Sequence, residues 1–146
     1  MLIYFGPVAV GGTYYVQTLE ISTAALIAGL PPGLFSVGIL TINNLRDIDN
    51  DRRAGKKTLA ARFGRTFART EYVSVILIAL LIPAVLVFHT GRHYYALAAM
   101  LTLFPAIPAL RTALRAADGP RLNNLLATTG KLLLLYSILY SVGWLL

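Results

Sequence analysis

The chain has no cysteine among its 146 residues, which excludes disulfide bonds and thiolate metal sites. Acidic side chains are scarce: six, against thirteen Lys and Arg, for a net charge of +7. Only 13% of residues are charged, about half the share of a typical soluble domain, roughly 25%. The opening Met1-Leu2-Ile3-Tyr4-Phe5-Gly6-Pro7 has neither the basic region nor the small-residue cleavage site of a secretory signal. No G-x-x-x-x-G-K-[ST] phosphate loop occurs, because Gly55-Lys56-Lys57-Thr58 lacks the upstream glycine. Apolar length is what the chain does have. It is 57% hydrophobic, with a mean hydropathy of +0.68, the composition of an integral membrane protein.

A bilayer core takes about 20 apolar residues per helix. Four stretches meet that length, at approximately 21–42, 72–89, 93–110 and 127–146. Residues 1–17 make a fifth, shorter segment, interrupted by Gly6-Pro7 and Gly11-Gly12, and read as the second part of a helix whose beginning is missing. None of these runs alternates with period two, and only helices or closed barrels satisfy the backbone in lipid. The expectation is an all-α integral membrane protein of about five transmembrane helices. Pro31, Pro32, Pro83, Pro105 and Pro108 fall inside the spans and read as kinks, which membrane helices tolerate.

Orientation follows from the cations. The segment 43–70 carries eight and the connection 111–131 carries four, so 12 of 13 fall on two loops that the helix count puts on one side. That side is expected to be cytoplasmic, in a multi-pass protein of the cell's inner (plasma) membrane. A positive net charge also attracts nucleic acid, but cations distributed this way track membrane topology, and no nucleic-acid partner is expected.

Residues 43–58 interrupt the apolar pattern. Asp47, Asp49 and Asp51, half of all the acidic residues, sit among Arg46, Arg52, Arg53, Lys56 and Lys57. On a helix Asp47 and Asp51, at i and i+4, share a face with Asn43, while Asp49 points away. Two carboxylates on one face repel unless a cation neutralises them. Mg²⁺ takes oxygen ligands, often one or two carboxylates plus substrate phosphates. Asn43 or Asn44 adds an amide oxygen or orients a water, and the surrounding Arg and Lys side chains can hold outer phosphate oxygens. The competing interpretation is a solvated loop whose charges pair locally, since exposed ion pairs are common and contribute little. Spacing alone does not choose between them.

The longer string does. Asn43-Asn44-Leu45-Arg46-Asp47-Ile48-Asp49-Asn50-Asp51-Arg52-Arg53-Ala54-Gly55-Lys56-Lys57-Thr58-Leu59-Ala60 resembles the second aspartate-rich motif of the UbiA superfamily of membrane prenyltransferases. Within it the Asn-Asn-x-Arg-Asp form is similar to the branch that prenylates 1,4-dihydroxy-2-naphthoate for menaquinone synthesis, rather than the 4-hydroxybenzoate branch. The upstream Phe5-Gly6-Pro7-Val8-Ala9-Val10 and Gly12-Thr13-Tyr14-Tyr15-Val16-Gln17 resemble that branch too. The resemblance implies a nine-helix bundle with two aspartate-rich motifs facing one cavity, and Mg²⁺ bridging them to a polyprenyl diphosphate. It implies alkylation of an aromatic acceptor with loss of diphosphate and CO₂, giving demethylmenaquinone. Asp47 and Asp51 then become metal and diphosphate ligands, joined by Asn43 at the metal. Asn44, Arg46, Arg52 and Lys56 become diphosphate-side residues.

The family's first motif, N-D-x-x-D-x-x-x-D, has no counterpart here: Glu20, Glu71 and Asp118 are isolated in sequence. Residues 1–146 therefore read as a partial UbiA-type domain, its C-terminal part, which needs an N-terminal half in cis or in trans and is not expected to be active alone. The alternatives are a fragment of a 4-hydroxybenzoate or other aromatic prenyltransferase, or a non-catalytic helical module that binds lipid or pairs with another chain.

The remaining residues fit a membrane frame. In residues 58–70, Leu59, Phe63 and Phe67 make one stripe and Arg62, Arg65 and Arg69 lie elsewhere, as in a short helix resting on anionic headgroups. It serves as an anchor, or as a lid over the cavity. Tyr14, Tyr15, Tyr94, Tyr95, Tyr136, Tyr140 and Trp144, with His89 and His93, read as interfacial residues. Tyr14 and Tyr15 are also placed to contact an aromatic acceptor. Lys131, near the start of the last span, reads as snorkelling to the interface.

Overall fold

The computed structural model describes residues 1–116 and 118–146. Every regular element in it is helical. A π-helical turn at Tyr4–Val8 runs into α1 (Ala9–Thr18), followed by α2 (Thr23–Arg46), the short α3 (Ile48–Arg53) and α4 (Leu59–Thr90). A 3₁₀ helix at Tyr94–Thr102 leads into α5 (Leu103–Arg115), and α6 (Gly119–Leu145) closes the chain. Four helical stretches are long and apolar enough to cross a membrane: Thr23–Arg46, Leu59–Thr90, Tyr94–Arg115 and Gly119–Leu145. With the shorter first segment beside them, they form an all-α membrane bundle of the expected type.

Sequence placed the starts and stops. Ser22 caps α2 by accepting the Ala25 amide at 3.3 Å, and Thr58 caps α4 by accepting from Ala61 at 3.2 Å. Asp118 caps α6 by accepting from Arg121 at 2.9 Å, with proline in the first turn. Such side chains satisfy backbone N–H groups that have no partner within the helix.

Lipid tails are as apolar as leucine, so membrane helices associate through close packing and hydrogen bonds. The stripe Ala96, Ala99, Thr102, Ala106, Ala109 and Ala113 recurs every three or four residues and is buried throughout. It lets the Tyr94–Arg115 stretch approach its neighbours closely. Tyr72 on α4 and Thr129 on α6 share a buried hydrogen bond of 2.8 Å. Two turns further along α6, Tyr136 meets Phe35 of α2 with ring centroids 5.4 Å apart. Leu77, Ile78, Leu81, Val85 and Phe88 stay exposed on α4, as a lipid-facing surface requires.

Several expectations are corrected. Residues 58–70 do not form one separate surface helix: residues 59–63 make a short helical segment set off by a sharp kink at Gly64, and residues 65–70 run on into the α4 span. Gly64 has φ 88° and ψ 178°, open to glycine and strained for any side chain. Leu59, Phe63 and Phe67 are nevertheless exposed together, and the Phe63 and Phe67 rings lie 5.0 Å apart. The third long span begins as nine residues of 3₁₀ helix instead of α-helix. Tyr136 and Tyr140 are not interfacial but buried, because they fall on the α6 face turned to α2, whereas Tyr94 and Tyr95 are exposed. Helix α6 starts at Gly119, so Lys131 lies about three turns inside it and not near its start.

The first segment is held by glycine contacts. A Cβ on Gly29 would sit 2.9 Å from the Gly6 backbone, and one on Gly6 would sit 2.8 Å from the Gly29 carbonyl oxygen. A Gly29→Val substitution is expected to push this segment off α2 and to cost about 1–3 kcal/mol as overpacking. The thermal midpoint in detergent should fall. Gly130→Ala, which meets nothing within 4 Å, should leave it level or raise it.

Candidate functional site

Helix α2 ends at Arg46, and Asp47, with φ −96° and ψ 9°, is the joint before α3. The helical spacing continues through the joint: the Asp51 amide donates to the Asp47 carbonyl at 2.8 Å. Leu45 and Ile48, both fully buried, pin this corner into the core. After α3 the Lys56 amide donates back to the Asp51 carbonyl at 2.9 Å, folding the lysine toward the aspartates.

Arg46 is the hub. Its Nε donates to Asp47 Oδ1 at 2.9 Å and one terminal nitrogen donates to Asp47 Oδ2 at 2.7 Å, a bidentate pair. That same nitrogen donates to Asn43 Oδ1 at 2.8 Å, and the other reaches Asn123 Oδ1 on α6 at 2.9 Å. The hydrogen bonds from Arg46 hold the Asp47 carboxyl below its usual range against partial burial, and the charges of Arg46 and Lys56 add to them.

Asp51 is placed differently. It is 6% exposed, with Lys56 Nζ 3.4 Å from Oδ1 and the Thr58 hydroxyl 3.4 Å from Oδ2. Thr58, which caps α4, thus also touches a carboxylate of the cluster. Asp49 faces outward and pairs with Arg65 at 2.7 Å. Arg52 donates through Nε to the Ala61 carbonyl at 3.1 Å, tying α3 to the first turn of α4. The structure therefore gathers Asn43, Arg46, Asp47, Asp51 and Lys56 at one corner. Asn44 is half-buried beside them, and Arg52 is turned partly to the backbone.

The two basic loops lie at the same end of the bundle. Arg46 meets Asn123, and Arg69 donates to the Ala116 carbonyl at 2.8 Å. At the opposite end His93 stacks on Trp144 with centroids 4.1 Å apart, and His93 Nδ1 lies 3.1 Å from the Trp144 carbonyl oxygen. Below the aspartate corner runs a groove of about 440 Å³, lined by Met1, Phe5, Ser36, Ile39, Leu40, Asn43 and Leu126. It is apolar except for Ser36 and Asn43.

The oxygen donors of Asp47, Asp51 and Asn43 have the chemistry of a hard divalent cation. They make part of a coordination shell: among the described residues no three His, Asp or Glu side chains cluster as a metal site. The donor set thus fits a cation shared with phosphate oxygens and not a closed protein cage. Asn123 and Thr58 were not anticipated. The signal for Asn123 was present, an Asn-Asn pair two residues after Arg121, but nothing local ties it to Arg46.

Comparison with known proteins gives consistent findings. Residues 1–125 match the UbiA prenyltransferase family. The chain is 35% identical to the 1,4-dihydroxy-2-naphthoate octaprenyltransferase of Haemophilus influenzae, over all of this chain and 47% of that protein. It is 36% identical to the protein of the same name from Mycobacterium tuberculosis, over 94% of this chain and 46% of the relative. The human UbiA prenyltransferase domain-containing protein 1 is 33% identical over 98% of this chain and 40% of its own length. The chain spans about half the length of these curated relatives.

The Arg46–Asp47 pair sets an acid-stability prediction. A carboxyl with a lowered folded pKa contributes stability that is complete above its unfolded value, about 3.9. That stability is lost as pH falls through the lowered folded value. Arg46→Gln is expected to raise the Asp47 pKa toward the unfolded value and to move the acid-unfolding midpoint upward. Carboxyl-carbon NMR titration and circular dichroism measure the two shifts.

Proposed function

This chain belongs to the UbiA prenyltransferase family, and from that premise we propose that it carries the second aspartate-rich half of an aromatic prenyltransferase site. The reaction would transfer a polyprenyl group from its diphosphate to 1,4-dihydroxy-2-naphthoate, releasing diphosphate and CO₂ and giving demethylmenaquinone. The observation that carries this reading is the juxtaposition at Asn43. A corner of carboxylates and cations sits directly at the mouth of an apolar groove, as a substrate with an anionic head and a long hydrocarbon tail demands. The naphthoate acceptor is supported by the names of the bacterial relatives.

In this reading Asp47, Asp51 and the Asn43 oxygen would hold Mg²⁺, which would supply positive charge where the diphosphate gains negative charge. Lys56 faces the same oxygens as a point charge, and Asn44 and the terminal nitrogens of Arg52 donate to them. Arg46, bonded to Asp47 and Asn43, acts mainly as a positioning residue. When the allylic C–O bond breaks, its electron pair leaves with diphosphate and the allyl group carries the positive charge. The ring carbon bearing the carboxylate attacks, a C–C bond forms, and CO₂ departs, leaving its bonding pair in the ring. The allylic cation survives only where water is excluded, and the apolar lining of the groove, with the missing half packed over its open side, would provide that.

The domain is then the C-terminal half of the family's bundle, completed by a half that supplies the other aspartate motif in cis or in trans. The basic end, with residues 43–58, faces the cytoplasm, in a plasma-membrane protein. Membranes containing this chain together with a complementing first half are expected to form prenylated naphthoate when given Mg²⁺ and polyprenyl diphosphate. Asp47→Ala plus Asp51→Ala should lower the rate by at least about 10²-fold, the scale of losing one preorganised charge contact. Product formation unchanged by the double substitution would exclude this site. No product from any pair shown to assemble would favour a non-catalytic helical module.

A further inference from the structure

A second groove, this one polar, opens between α5 and α6, with a volume of about 480 Å³. Arg111 and Arg115, one turn apart at the end of α5, face it together with Arg121 from the first turn of α6. Arg121 is paired with Asp118 at 3.3 Å, while no ion pair to Arg111 or Arg115 forms among the described residues. Asn124 supplies an amide. Thr112 and Thr128 direct their hydroxyl hydrogens into their own helices, to Pro108 and Asn124 carbonyls at 2.8 Å each, so they present acceptors rather than donors. Anion binding here therefore rests on the arginines and Asn124. Pro108, Ala109 and Leu125 make the floor apolar.

This groove is separate from the aspartate corner. On α6, residues 121, 125 and 128 lie about 140–200° around the helix from Asn123, which bonds Arg46, and Asn124 lies about 100° from it. The groove thus lies on the far side of α6 from the corner, at the same basic end of the bundle, where both bordering helices end. A site at that depth with an arginine rim, an amide and an apolar floor has the chemistry of a phospholipid: phosphate at the rim, acyl chains along the helices below. Basic pockets between membrane helices bind anionic headgroups in this way.

We propose that the α5–α6 groove binds an anionic phospholipid, with Arg111 and Arg115 contacting its phosphate. The inference is independent of the prenyl-transfer reading. Its test uses the whole chain in nanodiscs of phosphatidylcholine doped with phosphatidylglycerol, with the bound lipid counted by native mass spectrometry. Wild-type protein is expected to retain phosphatidylglycerol preferentially. The R111Q/R115Q variant should lose about thirtyfold in that affinity, from about a fivefold loss per arginine. R92Q, at the opposite end of the bundle, should match wild type. Both substituted arginines are exposed, and circular dichroism confirms that the variants fold. Equal retention by R111Q/R115Q and wild type would overturn the proposal. Displacement of the lipid by inorganic diphosphate at micromolar concentration would also overturn it, by assigning the groove to a soluble phosphate.

Discussion

The arrangement of the basic end depends on where Arg46 sends its donors. A guanidinium at the end of a membrane span needs acceptors, because its charge is poorly solvated among helices. Arg46 finds them in Asp47, Asn43 and Asn123. The bidentate bond fixes the Asp47 carboxylate in direction as well as in charge, which lysine, a point charge, does not reproduce. The bond to Asn123 couples the end of α2 to the start of α6, elements 77 positions apart. One side chain thus aligns a site carboxylate and joins two spans.

Beneath that end the bundle relies on small residues and a few hydrogen bonds. The alanine stripe along Tyr94–Arg115 and the Gly6–Gly29 contact bring helices close enough for dispersion to act where the hydrophobic effect is weak. Packing this close leaves little tolerance for displacement, so the end of α2 and the groove beside it keep a fixed relation. A prenyl substrate, in the proposed reading, depends on that relation, because its reacting carbon lies between its charged head and its tail.

Composition alone made the spans legible, because a run of about 20 apolar residues has few other uses. The aspartate string identified the family, and the comparisons agree. The same string implied that Asn43, Arg46, Asp47, Asp51 and Lys56 lie near one another, since they are close in sequence and one turn of helix brings them together. Features set by distant partners were not legible. Tyr136 and Tyr140 look like a membrane-interface pair by composition, but the side of α6 that faces α2 is decided by packing. The kink at Gly64 is local, yet a single glycine in a helical pattern more often passes unnoticed than bends the chain. Asn123 depends on two loops meeting, which no local pattern records.

Asp51 gives the clearest reason to regard this corner as one part of a larger site. A carboxylate this buried needs close polar partners to replace its lost hydration. Its two polar neighbours stand at 3.4 Å, long for a charge-assisted hydrogen bond, which runs at about 2.7–2.9 Å. Asp47, by contrast, accepts two short hydrogen bonds from Arg46, at 2.7 and 2.9 Å, and keeps a free lone pair on each oxygen. The corner therefore joins one carboxylate already positioned to one still short of positive charge. In the proposed reading, Asp51 would share a Mg²⁺ with the substrate's diphosphate, and that cation would meet the need. The charge balance of Asp51 and the binding of substrate would then be the same event.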